Sequence, residues 1–564
     1  MKFSNWDISG FDRDTAVEFC RNDVNPLVSV FLASRGITEL DDVRAITGDV
    51  PYDFYDPFLM IDMDKAVSRI KKAVDNSERI AVYGDYDVDG MTASAIMAFW
   101  LRSKGASFEI YIPGRFDEGY GLNKAALDTL KSHDVDLVVT VDCGITAIEE
   151  AQYAKSIGLD LVITDHHECR DVLPAAIAVV DPKRPDCNYP FKSLAGVGVA
   201  FKLICALEDD HLSDDIFNSY IEFVAVGTVA DVMPVTGENR ELIKRGLSIL
   251  SSSPRHSFRS LLREAGVDSD KVTASTIGYM IAPRLNAAGR MGQAELSVEL
   301  LLSDDDMEAD RLAVELCRLN SRRRDLELEI YEEAMDMMPE TVPEEPIVLA
   351  RHGWYQGVTG IIAAKMSERY HLPVIIISID DDGIGRGSCR SFGTFAIYDA
   401  LRSCEDILES YGGHEMAAGV TVAEERIDDL RKRVIDYYHD NVKVPPEPGI
   451  HIDFEIEKPE ILTIRNIKAL EDLEPFGSGN PSPCLCILGA ELSYTQSIGA
   501  GKHSKLRVEK SGTILDCIFF SVPAEDLGVN VGMAVDIVFE PQINEFRGRS
   551  SVQLQLFDIR ASRF

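Results

Sequence analysis

RIAVYGDYDVDGMTAS, residues 79–94, decides the fold. Its first five residues form a short apolar run of the kind buried in a sheet. GDYDVDG is a turn, and MTASAIMAFWLRSK after it has the look of a helix. Moving outward, the same rhythm returns. DLVVTVD (136–142) precedes an Ala/Glu-rich helix, DLVITD (160–165) precedes a loop, and AIAVVD (176–181) precedes a Pro-rich loop. Buried β runs alternating with helices predict βα units and a mostly parallel sheet, an α/β fold. Each run ends in an aspartate.

The remaining chain divides by composition. Residues 1–50 read as a helical segment, with an apolar stripe through NPLVSVFLASRGI and a break at Gly36. A catalytic domain is expected over 51–302. Residues 303–340 read as a connecting helix, with Ser303 as N-cap, acids in the first turn and Leu312, Leu316, Leu319, Leu326 and Ile330 at helical spacing. Such a helix is a strut roughly 50 Å long. A second α/β domain is expected over 345–444. After the VPPEPG linker, 450–564 reads as a small β-barrel of alternating strands and Gly-rich turns.

With 564 residues, the chain has room for three or four domains. Its 45% apolar and 27% charged content is that of an ordinary globular protein. No stretch nears the ~20 apolar residues that a membrane-spanning helix needs. MKFSNWDISGFDRDT lacks the apolar segment of a secretory signal. The 11 cysteines are scattered without a CxxC, so neither disulfides nor a zinc knuckle are expected, and the cytoplasm is the expected location. The formal charge of −37, from 57 basic and 94 acidic residues, argues against a nonspecific polyanion binder. It permits an enzyme whose basic residues are few and local. The barrel region departs from this balance: from Leu485 onward 9 acids face 8 bases, clustered in GKHSKLR and FRGR.

Asp85, Asp87 and Asp89 lie in a D-x-D-x-D-G turn that resembles the opening of a calcium loop. Position 12 of such a loop would be Ile96 rather than Glu, and a strand precedes it, so the EF-hand reading fails. Asp142, Asp165, His166 and His167 end the next runs, and Asp231 follows FVAVGTVA. At the carboxyl edge of a parallel sheet these groups meet in one crevice. So many carboxylates raise one another's pKa and require cations. Oxygen ligands with one histidine suit Mn²⁺ or Mg²⁺, and a pair of ions about 3.5–4 Å apart hydrolyses phosphate esters.

Two basic stretches accompany this cluster. APRLNAAGRM (282–291) carries Arg284, Asn286 and Arg290, a candidate cradle for a phosphodiester. GRGSCRS (385–391) and YGGH (411–414), with Ser388, Arg390 and His414, read as Gly-rich turns offering N–H groups to an anion. Arg115, in the loop 112–121, is placed to reach the same crevice.

Together these motifs resemble the DHH/DHHA1 phosphoesterases, and within them the branch of single-strand-specific DNA exonucleases. The likeness runs from about Asn25 to Gly419 through VYGDYDVDGMTAS, IPGRFDEGYGLN, VDCGI, TDHHE, GTVADVMP, APRLNAAGRM, GRGSCRS and YGGHEMAAGV. The barrel end resembles the family's OB domain more loosely. The resemblance implies a DHH domain, a DHHA1 domain and a two-metal 5′→3′ exonuclease that releases 5′-mononucleotides from single-stranded DNA in repair and recombination. By it, Asp87, Asp89, Asp142, His166 and Asp231 hold the metals with Asp85 beside them. Asp142, His166 and His167 are the catalytic set, with Asp165 orienting His166 and His167 on the scissile phosphate. Arg284, Asn286 and Arg290 grip the backbone, while Arg115, Ser388 and Arg390 hold the 5′-phosphate and His414 faces the cleft. Lys502, Lys505 and Arg507, with Phe519 and Phe520 as stacking candidates, would bind DNA on the barrel. The family also implies a monomer that works with a single-strand-binding protein and a helicase. Tyr83 departs from the histidine that many superfamily members carry there, which implies a loosely held ion. Two rival readings are a nanoRNA or cyclic-dinucleotide phosphodiesterase and a non-enzymatic replication scaffold. The retained acidic ligands weigh against the scaffold.

Overall fold

The computed structural model describes residues 3–48, 52–116, 118–119, 121–208, 212–268, 272–339, 341, 343–442, 448–546 and 548–562. Arg547 of FRGR and residues 444–447 of the VPPEPG linker lie outside them. Four apolar runs form the strands Ile80–Tyr83, Leu137–Val141, Asp160–Thr164 and Ala178–Val180. All pair in parallel, and a fifth strand, Phe108–Tyr111, joins at the edge beside Ile80–Tyr83. The two central strands beside that edge are buried on both faces, as a sheet covered by helices requires.

Asp231 departs from the strand-end expectation. FVAVGTVA belongs to the helix Asp214–Ala230, and Asp231 caps its C-terminal end. That helix is buried nearly all round, so its sequence has no polar stripe to mark its period.

The connecting helix is Asp306–Asp336, a 31-residue element. Asp305, not Ser303, is its N-cap and accepts the Glu308 amide; Ser303 instead ends the helix Ala294–Leu302. Leu312, Leu316 and Leu319 sink into the first domain's core, whereas Ile330 and Ala334 belong to the second domain's core. One helix thus nails both domains together.

The second domain has a mixed sheet ordered Ser410–Gly413, Ala417–Ala423, Ile384–Arg390, Val374–Ile379, Ile347–His352, of which only the last two strands are parallel. GRGSCR is therefore a strand and not a turn. Its amides bond within the sheet, so anion binding there falls to side chains.

The C-terminal strands Leu485–Ile498, His503–Lys510, Thr513–Phe519, Ala534–Phe546 and Arg549–Ala561 close into a barrel, because Leu485–Ile498 pairs with both His503–Lys510 and Ala534–Phe546. The segment 1–50 does not stand apart from this barrel. Asn5–Ile8 pairs in parallel with Gly449–Ile452, and Phe19, Leu27 and Phe31 pack in one core with Phe454, Leu485 and Leu506. Among the described residues, no helix is long and apolar enough to cross a membrane.

Candidate metal centre and phosphate cradle

At the carboxyl edge of the first sheet, the chain leaves the strand Ile80–Tyr83 and starts the helix Val88–Ser103. Asp87 caps this helix through Oδ1, which accepts the Asp89 and Gly90 amides at 3.0 and 3.2 Å. Asp89 in the first turn is buried and accepts two amides from the start of another helix, Gly196 (2.6 Å) and Val197 (2.8 Å). Asp142 follows the strand Leu137–Val141 with φ +62°, a left-handed conformation that costs a non-glycine residue about 1–3 kcal/mol and tends to mark functional sites. Val232, next to Asp231, is left-handed as well, at φ +55°.

The ligand atoms converge. Those of Asp142, His166 and His167, of Asp89, His166 and Asp231, and of Asp85, Asp87 and Asp142 each lie within 4.8 Å of one another. His166 Nε2 stands 3.1 Å from Asp142 Oδ1, 3.6 Å from Asp231 Oδ2 and 3.8 Å from Asp89 Oδ2. Yet Nε2 makes no hydrogen bond, and neither does the buried Asp85 Oδ1. Orphaned polar atoms facing one space are what a cation site leaves when described without its ion. The donor set, oxygen with one imidazole, fits Mn²⁺ or Mg²⁺.

Electrostatics agree with the geometry. Burial, then neighbouring aspartates, pushes Asp85, Asp89 and Asp142 well above the usual carboxylate range. Burial and Asp87 raise Asp231 to about 7. Burial and the charge of His167 hold His166 down at about 3, so its ring is neutral and able to donate a lone pair.

Asp165 serves a different histidine from the one expected. Its Oδ1 accepts His167 Nδ1 at 2.7 Å, whereas from His166 it receives only the backbone amide. Burial opposes its ionisation, but His167 and the Ile145 amide hold it below the usual range. In turn, burial is overcome and His167 rises to about 9. The pair is a charged imidazolium beside the carboxylate cluster. Tyr83 is spent elsewhere, its hydroxyl donating to Gly121 O at 2.9 Å while its ring stacks on Tyr111.

The basic residues separate into two groups. Burial and then the charges of Arg115, Arg323 and Arg390 depress Arg290 to about 10, so these four cations share one neighbourhood. Arg115 lies over the Tyr86 ring at 4.8 Å, and Ser388 shares a hydrogen bond with Thr359 at 3.0 Å. This cradle sits where the second domain meets the first. Arg290 Nη1 donates to Gly357 O, and a Cβ on Gly357 would fall 2.2 Å from Arg290 O, so no other residue fits that approach. Arg323 and Thr359 were not legible as site residues, because how the strut packs against the second domain has no local sequence signal.

Arg284 donates to Met280 O and to Cys317 Sγ. Half-buried Asn286 makes no side-chain hydrogen bond among the described residues. His414 is exposed in a turn, where its backbone pairs with Ala417. On the barrel, Lys502 is exposed, Lys505 half-buried, and Arg507 salt-bridged to Asp516 at 2.8 Å. Phe519 is core, whereas Phe520 is 47% exposed beside the His503 ring.

A parallel sheet that gathers aspartates and a histidine at its carboxyl edge, beside arginines drawn from both domains and the helix between them, defines a metal-dependent phosphoesterase of the DHH class. Comparison with known proteins agrees: the DHH family N-terminal domain matches residues 79–228, the DHHA1 domain 344–440 and the RecJ OB domain 452–558. The single-stranded-DNA-specific exonuclease RecJ of Bacillus subtilis (strain 168) is 39% identical over 99% of this chain and 72% of its own length. A crystal structure of RecJ in complex with Mn²⁺ from Thermus thermophilus superimposes with a TM-score of 0.84 at 30% identity, covering 99% of this chain and 80% of that one. The Mg²⁺ complex from the same organism gives 0.79 at 28% identity, with 99% and 79% covered. The chain belongs to the RecJ family.

Proposed function

We propose that this chain is a Mn²⁺- or Mg²⁺-dependent exonuclease that degrades single-stranded DNA from the 5′ end to 5′-mononucleotides, in DNA repair and recombination. The observation that carries the reading is the meeting of the carboxylate cluster with an arginine cradle formed where the two domains join. Asp87, Asp89, Asp142, His166 and Asp231 would hold the ions, with Asp85 alongside. When bound, two such ions supply a hydroxide nucleophile and neutralise charge on the reacting phosphate. His167, charged by its bond to Asp165, offers its second ring N–H to a phosphate oxygen and stabilises charge there. Arg115, Arg290 and Arg390, with Ser388, anchor the terminal 5′-phosphate by charge-assisted hydrogen bonds, which sets polarity by fixing that end beside the metals. Exposed bases on the barrel and Phe520 extend the grip along the strand. The protein acts as a cytoplasmic monomer, with a single-strand-binding protein and a helicase as partners.

The test is digestion of long 5′-phosphorylated single strands labelled at either end, with Mn²⁺. The 5′ label should appear at once as mononucleotide while the 3′ label shortens gradually. Mononucleotide from the 3′ label first, or cleavage of di- and trinucleotides alone, contradicts the proposal.

A further inference from the structure

Asn239 stands outside every motif used so far. It occupies the first turn of the helix Gly237–Ser252 and is fully buried. Its Nδ2 donates to two backbone carbonyls, Ser193 O at 2.5 Å and Pro234 O at 3.1 Å. Both neighbours are acceptors, so the amide must present its nitrogen to them. Its Oδ1 is left buried with no hydrogen bond. An unsatisfied buried carbonyl opposes folding, and a fold retains it only where something else requires the group.

The two carbonyls say what requires it. Ser193 lies three residues before Gly196, whose amide holds Asp89, and Pro234 lies three residues after Asp231. Asp89 and Asp231 share one ligand group with His166. The Asp231 loop also carries the left-handed Val232, a conformation that persists only where its surroundings impose it.

We propose that Asn239 is a positioning residue that sets the distance between Asp89 and Asp231, and so shapes the pocket that takes one of the two metal ions. This rests on Asp231 being a metal ligand. A carboxylate in the same place has no donor for either carbonyl, and serine has one.

The test is Mn²⁺ binding to the full-length protein without DNA, measured calorimetrically for Asn239→Asp, Asn239→Ser, Asp231→Asn and Tyr189→Phe. Tyr189 belongs to the adjacent buried network, where its hydroxyl donates to Glu238, and it controls for stability alone. Affinity at one of two Mn²⁺ sites should fall roughly ten- to hundredfold in Asn239→Asp, less in Asn239→Ser, with the other site unchanged. Tyr189→Phe should lower the melting temperature and leave both affinities unchanged. Turnover should drop in the Asn239 variants at constant KM for single-stranded DNA. Should Asn239→Asp not fold, Asn239→Ser decides. Wild-type affinity at both sites in a folded Asn239 variant, with one site lost in Asp231→Asn, overturns the proposal alone. Both sites intact in Asp231→Asn overturns the metal assignment beneath it.

Discussion

At the residue scale, protons and cations compete for the same oxygens. Asp85, Asp89 and Asp142 stand well above the ordinary carboxylate range through burial, and Asp231 is raised to about 7. A carboxyl whose folded pKa is raised binds more protons folded than unfolded, so its stabilising contribution is full below its unfolded value near 4 and fades as pH rises through its folded value. For Asp231 that window runs from about 4 to about 7. Ion binding replaces those protons, so Mn²⁺ affinity and the rise in melting temperature that Mn²⁺ causes should both grow from about pH 6 to about pH 8. A pH-independent Mn²⁺ shift in thermal melts would contradict this. Asp165→Asn removes the partner that raises His167 to about 9. The alkaline limb of the pH–rate profile should then fall toward the free-histidine value near 6.5, with a rate loss of about 10²-fold or more. An unshifted limb would show that His167 is not the group being titrated.

At the element scale, the strand Thr513–Phe519 and the residue just after it split two neighbouring aromatics. Phe519 is 5% exposed in the barrel core and Phe520 is 47% exposed. Phe519→Ala should cost about 3–5 kcal/mol of stability in denaturant titrations. Phe520→Ala should leave stability unchanged and weaken single-strand binding by about 1–3 kcal/mol in fluorescence titrations. The sequence offered both rings as stacking candidates, whereas it showed the parallel strands through their apolar runs and the carboxylates at their ends. Other elements were hidden for physical reasons. FVAVGTVA has no polar stripe because its helix is buried nearly all round. GRGSCR carries turn-forming residues, yet sheet pairing overrides their local preference. Asp165 lies next to both histidines in sequence, and only the bend of the chain shows that His167 takes its side chain.

At the scale of the whole molecule, long-range joins dominate. The pairing of Asn5–Ile8 with Gly449–Ile452 closes a loop of more than 400 residues and has no local signal. The same holds for Arg323 and Thr359, which reach the cradle only because one helix shares its buried residues between two cores. Net charge also acts at this scale. Against a charge of −37, DNA is held by few cations, so log affinity for single strands should fall with log salt at a slope of about −0.7 per phosphate contacted. Arg390→Ala should reduce that slope by roughly one contact and lessen the preference for 5′-phosphorylated over 5′-hydroxyl ends. An unchanged end preference would remove Arg390 from the 5′ anchor.

The most direct measurement is an anomalous difference map from crystals of this protein soaked in Mn²⁺. Two peaks about 3.5–4 Å apart are expected, touching Asp87, Asp89, Asp142, His166 and Asp231. A map with no peak among these side chains, or with manganese bound only elsewhere, would contradict the account.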